Sequence, residues 1–307
     1  MNKPSITSME QITAIKGFLK QNMALGEKSV EQIRKEELIT ASKLPALPGI
    51  TTEKVNIGKL PGEWVMADNV EKDSKKLILY FHGGTFISGS CDSHRDLASR
   101  ISKASSTKVL LIEYRLAPEH MYPAANEDCL YAYKWLIENG FSEKDIILGG
   151  ESIGGYLVLT TLLKLRDTAV PLPSAAFLLS PHTDFLYYDG ESYETRGSLD
   201  PMSTLEGAKK CAAYYFDPSI KDVSILSPLN EDLKGLPSLF IQVGDHEVIL
   251  SDSTRLTERA KEAGVDVTLE VWDNMWHIFR FMAAMLPEGE QAINSIGEFV
   301  KRKFTNS

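Results

Sequence analysis

The sequence predicts an α/β protein whose mostly parallel sheet is covered by helices on both faces, and three observations carry that expectation. Short apolar runs recur at 77–81, 109–112, 146–148, 175–179 and 239–243. Runs without polar alternation are what strands buried on both faces require, as strands of a parallel sheet are. Helical patterns lie between several of them, notably over 124–139 and over the Leu-rich stretch 156–166. Strand and helix in alternation build a layered α/β domain. Finally, the runs end in Gly-rich or polar loops, which places functional groups at the carboxyl ends of the strands.

At 307 residues and 43% hydrophobic content the chain can bury a substantial core. The formal net charge of −9 argues against nucleic-acid and anionic-membrane partners, since both demand a cationic surface. Cys91, Cys129 and Cys211 are odd in number and widely spaced, so neither a disulfide framework nor a zinc site is expected. No apolar stretch approaches the ~18 residues of a membrane span, and no leader segment is visible, so a cytoplasmic protein is expected.

In chain order, residues 1–45 show apolar spacings that fit two amphipathic helices ahead of the first strand. The Pro-rich 44–49 stretch then breaks helical continuity. Candidate strands at 53–57 and 63–67 form an antiparallel edge around a Lys59-Leu60-Pro61-Gly62 turn. The run 77–81 enters His82-Gly83-Gly84-Thr85-Phe86, and 146–148 enters Gly150-Glu151-Ser152-Ile153-Gly154-Gly155, after which a helix starts. Residues 184–222 depart from the rhythm and read as an insertion with a helix near 204–215. Strands at 239–243 and 265–272 and a helix over 293–304 complete the chain, giving a core of 46–183 and 223–307.

Glycines two before and two after Ser152 permit a sharp strand-to-helix turn that exposes the hydroxyl, which is the geometry of a nucleophile elbow. A Gly-rich phosphate cradle is the alternative reading of that stretch. A serine hydroxyl is a poor nucleophile at neutral pH, so it needs an imidazole base and a carboxylate to orient that base. His277 follows the last strand and is the expected base. Asp245 directly follows the strand at 239–243 and Gly244, so it is the expected acid, with Glu247 two residues on as its competitor. Acyl transfer also needs donors aimed at the developing oxyanion, and the N–H groups of Gly83, Gly84 and Ile153 suit that role. Thr85, Phe86, Tyr187, Tyr188, Trp276 and Ile278 are expected to touch substrate.

Taken together, His82-Gly83-Gly84, Tyr114-Arg115-Leu116-Ala117-Pro118-Glu119, Gly150 to Gly155, Asp245 and His277 resemble the bacterial hormone-sensitive-lipase-like esterases of lipolytic family IV. The resemblance spans about 53–304 and implies an α/β-hydrolase core with a helical cap built from 1–45 and 184–222. It implies a carboxylic ester hydrolase that acts on small-molecule esters through a serine acyl-enzyme, with no metal or organic cofactor. A preference for short acyl chains is expected, and a homodimer is left open. Acyl transfer, amide hydrolysis and a non-catalytic binding role are the competing expectations. Glu151, Ile153, Thr85 and the Asp-His-Glu run at 245–247 depart from the family pattern. Arg115 and Glu119 are expected to pair with each other in a structural role.

Overall fold

A computed structural model describes residues 1–22 and 28–305. Among these residues a single sheet carries nine strands in the order β1-β9-β8-β7-β6-β4-β5-β3-β2. The strands are β1 (Asn2–Lys3), β2 (Ile50–Ile57), β3 (Leu60–Ala67), β4 (Leu77–Phe81), β5 (Lys108–Ile112), β6 (Ile146–Glu151), β7 (Ala175–Leu179), β8 (Ser238–Gly244) and β9 (Val267–Trp272). Pairing is parallel from β1 through β5 along the sheet and antiparallel where β3 joins β5 and β2 joins β3.

The period-two alternation of a strand explains why the central runs are apolar throughout. Leu77, Leu79 and Phe81 enter one core cluster with α4 (Ala124–Glu138), α5 (Ile153–Asp167) and α8 (Leu250–Glu262). Ile78 and Tyr80 enter the opposite cluster with α3 (Cys91–Ser105) and α9 (Pro287–Thr305). The expected helices over both faces are therefore present. Helix α3 buries Leu97, Ala98 and Ile101 in that cluster, and its start is marked by a Ser90/Ser93 capping box.

One expectation changes at the amino end. Residues 1–45 do not all precede the sheet, because Asn2 and Lys3 pair with Val271 and Trp272 as an added edge strand. Helix α1 (Met9–Asn22) buries Ile12 and Leu19 against Trp272, Met275, Trp276 and Phe279. The second expected helix is α2 (Val30–Ser42), which opens with a Ser29/Gln32 capping box. The departing segment 184–222 holds a short helix α6 (Glu191–Thr195) and α7 (Leu205–Tyr215), whose Ala212 and Tyr215 join the first cluster.

The Tyr-Arg-Leu-Ala-Pro-Glu run is structural, but by other pairings than expected. Arg115 Nε and Nη2 donate to Asp128, and Glu119 accepts from both terminal nitrogens of Arg34 on α2. Arg115 and Glu119 thus serve two separate links, the second tying an amino-terminal helix to the core.

Candidate active site

Register aligns the loops of the site. Phe81 lies opposite Gly150 and Gly244 opposite Trp272, so the loops after β4, β6, β8 and β9 emerge at one end of the sheet. At the end of β6 Ser152 adopts φ 54, ψ −117, a strained conformation between strand and helix. The backbone of this turn crosses β4 so closely that a Cβ on Gly154 would lie 1.9 Å from the carbonyl oxygen of Phe81. Only glycine fits there.

Ser152 Oγ lies 3.0 Å from His277 Nε2, the hydroxyl donating to the imidazole. His277 Nδ1 in turn lies 3.0 Å from Glu247 Oε2. The geometry therefore corrects the expected acid. Strand β8 ends at Gly244 and the chain turns, with Glu247 N donating to Gly244 O, so a carboxylate three residues past the strand faces inward. The Asp245 side chain is 35% exposed, against none for Glu247. Asp245 faces Asn274, Lys16 and Arg196 instead, and burial still holds its carboxyl above the ordinary range.

Glu247 is fully buried and its second oxygen is satisfied. Oε1 accepts from Gly244 N and from Ser180 Oγ, both at 2.6 Å. Arg280 Nη1 donates to Ser180 Oγ at 3.2 Å, and its Nε donates to Gln242. A buried guanidinium thus stands one hydroxyl behind the acid, and burial lowers its pKa to about 10. Sequence reasoning offered no signal for Ser180 or Arg280, because each acts through a partner far along the chain.

Burial alone would pull the His277 pKa down, but the hydrogen bond and charge of Glu247 outweigh it, and the net shift is upward. A second imidazole, His182, donates its backbone N–H to Ser152 O at 3.3 Å. Burial and the neighbouring His277 drive the His182 pKa down to about 3, so it is neutral.

The His-Gly-Gly loop is held from behind. Gly83 N donates to Glu151 Oε1, and the same oxygen receives His94 Nε2 at 2.8 Å. Gly83 is therefore removed from the expected oxyanion donors: its N–H is already engaged by the residue that replaces aspartate in the elbow motif. The Gly83 carbonyl faces His82 Nδ1 at 2.7 Å, and burial, with the charge of His94, keeps His82 neutral by lowering its pKa to about 3. In a trans peptide C=O and N–H point opposite ways, so pinning this carbonyl turns Gly84 N–H the other way. Gly84 has φ +109, where a Cβ would meet Ser88 O at 2.3 Å. Among the described residues the N–H groups of Gly84, Thr85 and Ile153 donate to no protein acceptor.

The expected substrate contacts divide. Thr85, at φ 55, lies beside Cys211 of α7, and Phe86 is buried in a stack on Tyr215 at 4.0 Å between centroids. Around this pair Tyr156, one helical turn beyond Ser152, meets Phe185 and Phe216 edge to face. Ile278 is half-buried beside His277, with φ 55. Tyr188 packs on Tyr193 and His182. Two expectations fail. Tyr187 is 59% exposed and faces solvent, and Trp276 is buried against Ile12 and Leu19 of α1.

Comparison with known proteins gives a consistent set. The pattern of a protein family described as an alpha/beta hydrolase fold matches residues 78–281. An acetyl-hydrolase of Streptomyces hygroscopicus is 37% identical over 247 residues, 80% of this chain and 81% of that protein. An esterase of Acinetobacter venetianus is 33% identical over 256 residues, 83% of each chain. A crystal structure of an esterase from the bacterial hormone-sensitive lipase family superposes with a TM-score of 0.91 at 38% identity, covering 97% of this chain and 100% of that one.

Proposed function

Since this chain belongs to the bacterial hormone-sensitive-lipase-like carboxylesterases of α/β-hydrolase fold and hydrolyses carboxylic esters, we propose that it does so with Ser152 as nucleophile, His277 as base and Glu247 as orienting acid. The observation that carries this is the unbroken line of hydrogen bonds from Ser152 Oγ through His277 to Glu247. Ser152 Oγ attacks the ester carbonyl while His277 Nε2 takes its proton. Glu247 holds the Nδ1–H tautomer and stabilises the imidazolium that forms. The tetrahedral oxyanion receives N–H groups from Gly84, Thr85 and Ile153, each such donor contributing about 2.7–4 kcal/mol to barrier lowering. Collapse breaks the bond to the alcohol oxygen, which leaves with the proton from His277. Water repeats the sequence on the acyl-enzyme.

We further read the helices of 1–45 and the segment 184–222 as a cap over this site. Phe86, Tyr156, Phe185, Tyr215 and Phe216 bring the oxyanion loop, the elbow helix and the cap into one aromatic block beside Ser152. Such a block limits the acyl chain to short lengths, with kcat/KM greatest at about four to eight carbons. The similarity to an acetyl-hydrolase supports the short end. We place the protein in the cytoplasm, in keeping with three free, buried cysteines. No observation favours acyl transfer, amide hydrolysis or a non-catalytic role.

The test is a burst experiment with a p-nitrophenyl ester. Wild-type protein should release about one equivalent of p-nitrophenol before the steady state when deacylation is slowed by low temperature. The Ser152→Ala variant should release none. An equal burst from that variant would remove Ser152 from the mechanism.

A further inference from the structure

We propose that Lys16, on the amino-terminal helix α1, is a positioning residue that clamps together the three segments carrying and flanking Glu247 and His277. Its ammonium donates to Leu199 O at 3.2 Å and to His246 Nδ1. It also stands 5.7 Å over the ring of Trp276, the residue before His277. One cation therefore meets the residue before Glu247, the residue before His277 and the turn at 199–200.

That turn is itself part of the acid loop's support. Asp200 is 4% exposed and accepts from Val248 N at 3.1 Å, directly after Glu247. Its other oxygen accepts from Met202 N and Ser203 N. The acid loop is further held by Arg196 Nε on Asp245 O at 3.0 Å and by His246 N on Met275 O at 3.1 Å. Lys16 closes this ring from α1, and its side chain explains why His246 stands between the two acidic residues. An ammonium needs acceptors here, and a neutral imidazole supplies one.

The titratable groups facing Lys16 are Asp200, Asp245 and His246, with Arg196 beside Asp245 and His246 and Asp273 behind Asp245. Burial lowers the Lys16 pKa to about 8 against the raising charges of Asp200 and Asp245. Burial and the charges of Lys16 and Arg196 hold His246 at about 4, so it is a neutral acceptor through the working range. A lysine with a lowered pKa is cationic below that value and loses its proton above it, so the clamp is complete near neutrality and weakens from about pH 8 upward.

This inference rests on the triad reading above, and its experiment separates the two. Steady-state kinetics on p-nitrophenyl butyrate compare wild type, Lys16→Met, Lys16→Arg and Glu247→Gln from pH 6 to 10. We expect Lys16→Met to lower kcat about tenfold with KM changed less than about twofold, the pattern of lost positioning rather than lost binding. Lys16→Arg keeps the charge and donors, so it should retain most of kcat and abolish the wild-type decline above about pH 8. Should Lys16→Met match wild type in kcat while Glu247→Gln is crippled, the clamp is overturned and the triad stands. Should Glu247→Gln be as active as wild type, the triad reading falls first. Should Lys16→Met fail to fold, the pH profiles of wild type and Lys16→Arg still decide, and identical alkaline limbs overturn the proposal.

Discussion

At the scale of single residues the site divides by how directly the chain dictates it. Ser152 and His277 are visible because each follows a strand in a pattern with a geometric reason, and both stand where that reason puts them. Asp245 fails because the position of a residue after a strand does not say which way the turn faces. Accordingly, Glu247→Gln should lower kcat by about 10³ to 10⁴ through the wrong imidazole tautomer. Asp245→Asn should cost less than about threefold, as expected of a half-exposed carboxylate outside the hydrogen-bond line. Steady-state kinetics of the two variants read this directly, and the reverse ranking would restore Asp245.

His277 also makes a signed prediction. A general base works only when neutral, and Glu247 raises the His277 pKa, so the acid limb of kcat/KM should have its midpoint above the ordinary 6.5 of histidine. Activity falls as pH drops through that midpoint. Replacing Glu247 with glutamine removes the stabilising charge, leaves the burial, and should move the residual limb to lower pH. A limb at or below pH 6 in the wild-type enzyme would contradict the assignment.

At the scale of elements, the elbow and the amino-terminal strap, residues 2–8 running from β1 towards α1, are the parts with least tolerance. A methyl group on Gly154 would occupy the space of the Phe81 carbonyl at 1.9 Å, and backbone on both sides leaves nothing to yield. Gly154→Ala should therefore destabilise the fold by at least about 3 kcal/mol, read as the urea midpoint, and lower the yield of folded enzyme.

The strap is fastened by Glu288, whose carboxylate accepts from Ser5 Oγ, Ile6 N, Thr7 N and Thr7 Oγ1 at 2.7–2.9 Å. Burial works to raise the pKa of Glu288, but these hydrogen bonds outweigh it and the net shift is downward. A depressed acid contributes stability that is fully present above its unfolded pKa near 4.3 and is lost as pH falls through the folded value. The protection of the residue 2–8 amides, taken relative to their intrinsic exchange rates, should fall selectively in acid, and in Glu288→Gln it should be reduced already at pH 7. Uniform protection of this segment at pH 3 would show that β1 pairing alone holds it.

For the whole molecule, the acidic surface and the aromatic block beside Ser152 act together on substrate choice. Each CH₂ of an acyl chain buried in the pocket adds about 0.8 kcal/mol until the pocket is full. Specificity should therefore climb from acetate, peak at about four to eight carbons and fall by hexadecanoate. A net charge of −9 gives no attraction to an anionic lipid surface, and none of the helices is long and apolar enough to cross a membrane among the described residues. Emulsified triolein should show no rise in activity at the interface. Preference for the longest ester, or activation by the emulsion, would count against the short-chain reading.

Sequence alone was sufficient for the parallel sheet, the turn that holds Ser152 and the choice of His277 as its partner, because these depend on local facts. Five apolar runs at 77–81, 109–112, 146–148, 175–179 and 239–243 have no stable place except inside a sheet covered on both faces. The glycines around Ser152 answer a steric demand within one turn. Tertiary structure decided what depends on side-chain direction and on partners distant in sequence. It chose Glu247 over Asp245 because the chain turns after β8, with Glu247 N on Gly244 O, which carries Glu247 in to His277 and leaves Asp245 partly exposed. It took Gly83 from the oxyanion donors because Glu151 reaches its N–H from the elbow. It also brought Asn2 and Lys3 to the sheet edge and Lys16 to the acid loop, contacts spanning more than two hundred residues that no local pattern encodes.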